Sequence, residues 1–397
     1  MQVTDSGDAR SRFYPPAPKK CDVKRIRSVF TLAPSPSNSG PRRTLACPLL
    51  HAVQETLGGL ATASRPPLIQ LSPSGLYCAA GDFHIDPWRP VPRAVITHAH
   101  SDHARAGSAL YFAHTDSLPL LRWRLGEDAN LQPVAYGERF RLGDATVSLH
   151  PAGHVLGSAQ VRIEQGGEVW VISGDYKRDP DPTCTGFEVV PCDTFITEAT
   201  FALPVYRWRP ASEVAADVLA WWGDCAQRGE TAVLGCYALG KAQRLLAEIG
   251  ALDGARGRRI LLHGAMAPAV EIYREAGIAL PPTETVSEQA KGKDLAGELV
   301  LAPPSALGTP WMRRFRQVST GFASGWMRLR GNRRRRGFDR GFVLSDHADW
   351  PGLIDTVLAT GARRVLATHG STDVFVRYLN ERGVEAAALA TELGGEN

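Results

Sequence analysis

The stretch Val95–Gly107, "VITHAHSDHARAG", sets three histidines and an aspartate within six positions, directly after an apolar run. The whole chain has only 11 histidines in 397 residues, so composition does not account for the cluster. A buried apolar core gains nothing from it, because each imidazole needs a hydrogen-bond partner or a metal. In an extended segment His98 and His100 project to the same side. A turn then places Asp102 and His103 at the start of the next element, offering an oxygen and a further nitrogen nearby. Four ligands split in this way suit two adjacent metal ions better than one.

A bimetallic site needs further donors, and the candidates stand at strand ends. They are His154 in "HPAGHVLGS", Asp175 in "ISGDYK" and His369 in "LATHGS". Any one histidine in such a place is ordinarily a satisfied structural residue; the grouping around residues 98–103 is what makes a site. An aspartate is the natural bridge, since each of its oxygens can take one ion. His51, His84, His114, His150 and His263 have no partner pattern and are read as structural.

Composition bounds the rest. With 44% hydrophobic and 22% charged residues the chain reads as an ordinary globular protein of one large or two average domains. No run approaches the length of a membrane span, and no secretory signal stands at the N-terminus, so a cytoplasmic location is expected. The seven cysteines are scattered, with no CxxC pair, which argues against a disulfide framework and against a cysteine zinc site. Charge is localised. The segment Pro303–Ser345 has ten arginines and one acid, Asp339, so it carries +9 where the whole chain carries +4, and the remainder sums to −5. Such a patch is the electrostatic footprint expected for a polyanion.

Along the chain, residues 1–65 are rich in Pro, Ser and Lys/Arg and are expected to be a poorly ordered extension. From Pro66 the pattern turns β-rich, with short strands at "LIQLS", "GLYCA" and "RAVIT" and a hairpin in "AQVRIEQGGEVWVISGD" turning at Gly166-Gly167. After Pro204 helices and strands alternate. "SEVAADVLAWWGDCAQRG" is an amphipathic helix with Ser212 as its expected N-cap, and "TAVLGCY", "RRILLH" and "ELVLAP" are strands of a parallel α/β unit. In "GCYALGKAQR" the GxxxxGK[ST] spacing is missing, so a glycine-mediated strand-to-helix turn is expected, with Lys241 available to a substrate backbone.

These residues carry a family resemblance. "THAHSDHA" resembles the HxHxDH signature of the metallo-β-lactamase fold, with His154 and Asp175 matching its third and fourth motifs. "TEATF", "SDHAD" and "ATHGS" resemble motifs A, B and C of the β-CASP nucleases. "DPWRPVPRAVITHAHSDHA", "YALGKAQRLL" and "FASGWMRLRGNRRRRGFDRGFVLSDHADWPGL" are similar to the bacterial DNA-ligase-associated exonucleases, from about Pro66 to about Leu389.

The resemblance implies an α/β architecture: a metallo-β-lactamase αββα sandwich from residues 66–204 and 346–397, with an α/β β-CASP domain, residues 205–345, inserted. It implies that His98, His100 and His154 bind one metal, that Asp102, His103 and His369 bind the other, and that Asp175 bridges. Asp86 would take the place of the first-motif aspartate behind the ligands, although Asp82 stands close by. Glu198 and His347 match motifs A and B, a pair placed to protonate a leaving oxygen, with Asp102 and Asp86 completing the reactive set. Two divalent ions, zinc or manganese, are the implied cofactors.

The expected function is a metal-dependent phosphodiesterase, a DNA exonuclease of repair acting on DNA with single-stranded character, in the company of a DNA ligase or helicase. Arg328, Arg330, Arg333, Arg334, Arg335 and Arg336, with Lys241, are the expected nucleic-acid contacts. Aromatic neighbours Trp311, Phe315, Phe322, Trp326 and Phe338 could stack on unpaired bases. An RNA-processing endo- or exoribonuclease is the nearest alternative, because no residue that would meet a 2′-hydroxyl can be placed. A catalytically silent nucleic-acid-binding subunit is disfavoured by the filled ligand positions. A lactamase or thioesterase has no use for the arginine ribbon.

Overall fold

The computed structural model describes residues 66–286, 292–329, 331 and 337–391. The expectation for residues 1–65 lies outside them.

Between Gln70 and Val134 six short strands form one sheet: β1 (Gln70–Ser72), β2 (Gly75–Cys78), β3 (Phe83–Ile85), β4 (Ala94–Val95), β5 (Tyr111–His114) and β6 (Leu131–Val134). A second sheet has seven strands. β7 (Phe140–Leu142), β8 (Ala145–Pro151), β9 (Ala159–Gln165) and β10 (Glu168–Ile172) meander antiparallel, and β11 (Thr194–Ala199), β18 (Arg364–Gly370) and β19 (Glu385–Ala388) continue it in parallel. The expected hairpin joins β9 to β10, and Gly166 and Gly167 take the positive φ values, 58° and 84°, that its tight turn needs.

Side-chain parity explains how the layers stack. Val95 and Phe112 of the first sheet meet Trp170, Ile172 and Ile196 of the second in one core between the sheets. Their neighbours Ala94, Ile96, Tyr111 and Ala113 face the other way, onto helix α1 (Leu118–Leu125). Val171, Phe195 and Val365 likewise turn outward, onto the helices Trp350–Thr360 and Thr372–Asn380. Because successive residues of a strand point to opposite faces, strands buried on both sides must be apolar throughout. The result is the αββα layering expected from the resemblance.

A third sheet has its six strands parallel, in the order β14–β13–β15–β12–β16–β17. Its strands are β12 (Thr231–Gly235), β13 (Ile260–Leu262), β14 (Glu284–Thr285), β15 (Leu299–Ala302), β16 (Val318–Ala323) and β17 (Arg340–Phe342). The same parity holds. Ala232, Leu234, Leu299 and Leu301 pack on α2 (Ala211–Gln227) and α3 (Lys241–Gly250), while Val233 and Val300 face Leu295 and Phe315. Helix α2 corrects one expectation. It starts at Ala211, its N-cap is Pro210, and no side chain caps it, so Ser212 lies inside the first turn. Pro210, with φ of −49° and ψ of 137°, takes the non-helical cap conformation itself, and the helix begins two residues earlier than expected.

A candidate two-metal centre

The site gathers where strands of the second sheet end beside the loop that follows β4. His98, His100, Asp102 and His103 come from that loop, His154 from the β8–β9 connection, and Asp175 from the turn after β10. Glu198 stands in β11, and His369 in β18 with φ of 26°, a strained value for a residue with a side chain. Carboxyl ends of parallel strands are where open α/β sheets place their sites.

Hydrogen bonds fix the tautomers, and with them the direction of each lone pair. Thr97 donates its hydroxyl to Asp86 Oδ2, so its oxygen accepts from His98 Nδ1 at 3.0 Å. His100 Nε2 donates to the carbonyl of Leu239 at 3.2 Å, and His154 Nδ1 donates to the carbonyl of Asp346 at 2.8 Å. The remaining nitrogens, His98 Nε2, His100 Nδ1 and His154 Nε2, therefore aim lone pairs at one point. His100 Nδ1 lies 3.1 Å from each of the other two, and Asp175 Oδ2 is 3.6 Å from His98 Nε2 and 3.8 Å from His154 Nε2. Three lone pairs and a carboxylate oxygen repel one another at such separations unless a cation lies among them. Ligands about 2.0–2.1 Å from a tetrahedral zinc ion are about 3.3–3.4 Å apart, and the separations here, 3.1 to 3.8 Å, fall on either side of that value.

A second group adjoins the first. His103 Nε2 is 3.5 Å from Asp175 Oδ2 and 3.8 Å from Asp102 Oδ2, and His369 Nε2 is 3.1 Å from Asp175 Oδ1. Asp175 thus touches both groups, one oxygen shared and one turned to His369. Gly174 before it takes φ of +58°, and a Cβ there would lie 2.7 Å from Thr97, so this approach requires glycine. The donor set of nitrogens and carboxylates suits divalent zinc or manganese, and His103 Nε2 is buried without a hydrogen bond.

Asp86, not Asp82, stands behind the histidine cluster. Its carboxylate holds His103 Nδ1 at 2.7 Å and accepts from Thr97 N–H at 2.8 Å. Asp82 is exposed and pairs with Arg93 at 2.6 Å. Glu198 Oε2 meets His347 Nδ1 at 2.8 Å, while its other oxygen accepts from the Tyr176 N–H at 2.8 Å. Both residues are buried beside Asp175.

The electrostatics follow from burial and charge. Burial, then the neighbouring imidazoles, push His98 well below its ordinary value and His154 down to about 4, so both are neutral near pH 7. Burial opposes charge on His103 too, but the carboxylates of Asp175, Asp86 and Asp102 outweigh it and raise the imidazole to about 10. Burial works against Asp175, yet His103 and His347 hold it well below the usual carboxylate range. His103 of the metal-free chain is therefore protonated at neutral pH, and a metal must displace that proton. We expect metal uptake to release protons between pH 7 and 9 and to tighten as pH rises towards 10. Calorimetry in buffers of different ionisation enthalpy checks this; a buffer-independent heat refutes it.

Of the nucleic-acid residues expected from sequence, Arg330 and Arg333, Arg334, Arg335 and Arg336 lie outside the described residues. Arg328 is exposed and donates to the Val205 carbonyl at 3.0 Å. Lys241 is placed otherwise than expected. It is fully buried, with its ammonium 3.1 Å from Asp346 Oδ1, because Gly240 turns the start of α3 inward. Phe322 is buried and stacked on Phe338 at 4.9 Å, and Phe315 is buried, so neither offers a free face, whereas Trp311 and Trp326 are half-buried. Sequence reasoning missed Asp346, whose only signal was its place beside His347.

No family model matches the chain. It is 31% identical over 327 residues to a protein named "Probable DNA ligase" from Opitutus terrae, a match covering 80% of this chain and 31% of that protein. It is 31% identical over 119 residues to "Endoribonuclease ysh-1" of Neurospora crassa, covering 29% of this chain and 14% of that one. "Integrator complex subunit 11" of Danio rerio is 34% identical over 101 residues, 25% of this chain and 17% of that protein. The chain thus spans a third or less of the length of these relatives. The layered fold, the histidine and aspartate cluster with its Glu198–His347 pair, and these likenesses agree, and the chain belongs to the metallo-β-lactamase-fold, β-CASP family.

Proposed function

We propose that this protein is a two-metal-dependent nuclease, and that its substrate is DNA, degraded from an end in a repair setting alongside a ligase. The observation that carries the nuclease reading is the buried Glu198–His347 pair, 2.8 Å long, set beside Asp175. Metal ions alone would equally serve lactam or thioester hydrolysis. An acid–base pair next to them serves a reaction whose leaving group is a poor one, such as a sugar oxygen.

His98, His100 and His154 would hold one divalent ion and Asp102, His103 and His369 the other, with Asp175 common to both. Ions so held supply an activated water and offset charge on a phosphodiester. The chain's own residues do the rest. Asp86 orients His103 directly and His98 through Thr97. Glu198 keeps a proton at His347 Nδ1 and favours the imidazolium, whose Nε2 proton goes to the departing oxygen. Residues 205–345 would form a cap over the rest, leaving the substrate in the cleft between them.

Support for DNA is that the relative matching 80% of the chain is named for DNA ligation, while the endoribonuclease matches 29%. The same endoribonuclease name supports RNA as the second reading. End-labelled single strands of DNA and RNA, incubated with zinc or manganese in turn, decide between them. Release of mononucleotides from one end of DNA, blocked by chelator, is the expected result. Cleavage of RNA with DNA intact reverses the substrate, and cleavage of circular strands removes the exonuclease assignment.

Replacing Arg333, Arg334, Arg335 and Arg336 by serine should weaken binding to all sequences alike. Each lost phosphate contact lowers the slope of log affinity against log salt by about 0.7 for a single strand. Titrations of a labelled strand at several salt concentrations measure it. An unchanged slope would make the ribbon a solvated loop.

A further inference from the structure

The segment "YALGKAQR" (Tyr237–Arg244) makes four contacts with the surroundings of the centre. The Leu239 carbonyl accepts the His100 Nε2 proton at 3.2 Å. Gly240, at φ of +84°, packs so closely that a Cβ would come 2.5 Å from Val155 and 3.3 Å from Asp346 Oδ2. Lys241 Nζ lies 3.1 Å from Asp346 Oδ1, with both side chains buried. Arg244 donates to the Ser345 carbonyl at 3.3 Å and to the Pro180 carbonyl at 3.3 Å. Asp346 in turn offers its carbonyl to His154 Nδ1 at 2.8 Å.

We propose that this turn is a positioning element of the metal centre: Leu239 sets the tautomer of His100, and the Lys241–Asp346 pair holds the carbonyl that sets the tautomer of His154. The inference rests on the two-metal reading of the site, but not on the substrate. Two of the three imidazoles of the first group owe their metal-facing lone pairs to it. Neither Leu239 nor Lys241 offers a ligand atom to the centre. Their effect passes through the rings they hold, as partners behind metal ligands generally act. A lysine buried at this spot is otherwise costly, since a desolvated charge needs a partner of opposite sign. Asp346 is that partner, and its position is fixed from both ends: side chain to Lys241, backbone to His154.

Metal binding by the full chain, without substrate, tests the idea. The parent should take up Co²⁺ with a visible d–d spectrum, and failure of that step would count against the metal reading itself. Granted uptake, Lys241→Met should weaken binding about 10- to 100-fold in chelator competition and alter the band shape. Lys241→Met combined with Asp346→Leu, which removes both charges of the pair and keeps the backbone carbonyl, should recover most of the affinity. Gly240→Ala changes no charge but displaces the Leu239 carbonyl, and should also weaken binding. Parent affinity and spectrum in both Lys241→Met and Gly240→Ala, with folding shown by circular dichroism, would overturn the proposal. Should the variants not fold, the unmodified metal-free protein decides through ¹⁵N-histidine spectra. Exchange-protected protons at His100 Nε2 and His154 Nδ1 are expected; protons on the opposite nitrogens refute the assignment.

Discussion

Asp175→Ala is expected to lose both metal ions and, with them, all measurable hydrolysis. The carboxylate reaches donors of both groups: Oδ2 lies 3.5 Å from His103, 3.6 Å from His98 and 3.8 Å from His154, and Oδ1 lies 3.1 Å from His369. Its removal also leaves His98, His100, His103 and His154 crowded with less negative charge among them, so a divalent cation would meet an imidazole cluster short of an anion. His100→Ala removes a ligand from the first group alone and should lose one ion before the other. Elemental analysis of the purified variants, beside a circular dichroism control, measures the effect. Two tightly held ions in Asp175→Ala would end the bridging assignment and leave Asp175 as a counter-charge to His103.

His347→Ala should separate chemistry from metal binding. His347 is bonded to Glu198 at 2.8 Å, whereas His369 is the histidine that lies on Asp175 at 3.1 Å. The variant is therefore expected to keep both ions and to bind substrate, while turnover falls by about 10²–10⁴, the usual contribution of general acid catalysis. A nitrophenyl phosphodiester, whose leaving group needs no proton, should be cleaved nearly as well as by the parent. Glu198→Gln should show a milder form of the same pattern, because the pair acts as a unit and losses do not add. Loss of one ion in His347→Ala would instead make His347 a ligand, and the roles of His347 and His369 would be exchanged.

Much of this was legible in the chain, for local reasons. In "VITHAHSDHARAG" the donors are neighbours, so strand periodicity alone brings His98 and His100 to one side. The apolar runs around Val95, Val171, Phe195 and Val365 announced strands covered on both faces, since parity sends alternate residues into different cores. The Gly166-Gly167 hairpin needed only its two glycines. Where local rules competed, as at Pro210 and Ser212, the expected helix start falls two residues late.

Other features existed only once the chain had folded. Asp82 and Asp86 both take positive φ, 49° and 43°, and both are carboxylates near the same strand; burial against Thr97 and His103 is what distinguishes Asp86. Lys241 reads as a surface cation until Asp346 arrives from 105 positions along the chain to pair with it. Which nitrogen of each histidine faces the centre was likewise decided by carbonyls of Leu239 and Asp346 that no spacing rule could supply. The physical difference is one of range: residue type and period act between neighbours, whereas the charge state and tautomer of a buried group depend on whatever partner the tertiary fold brings within about 3 Å.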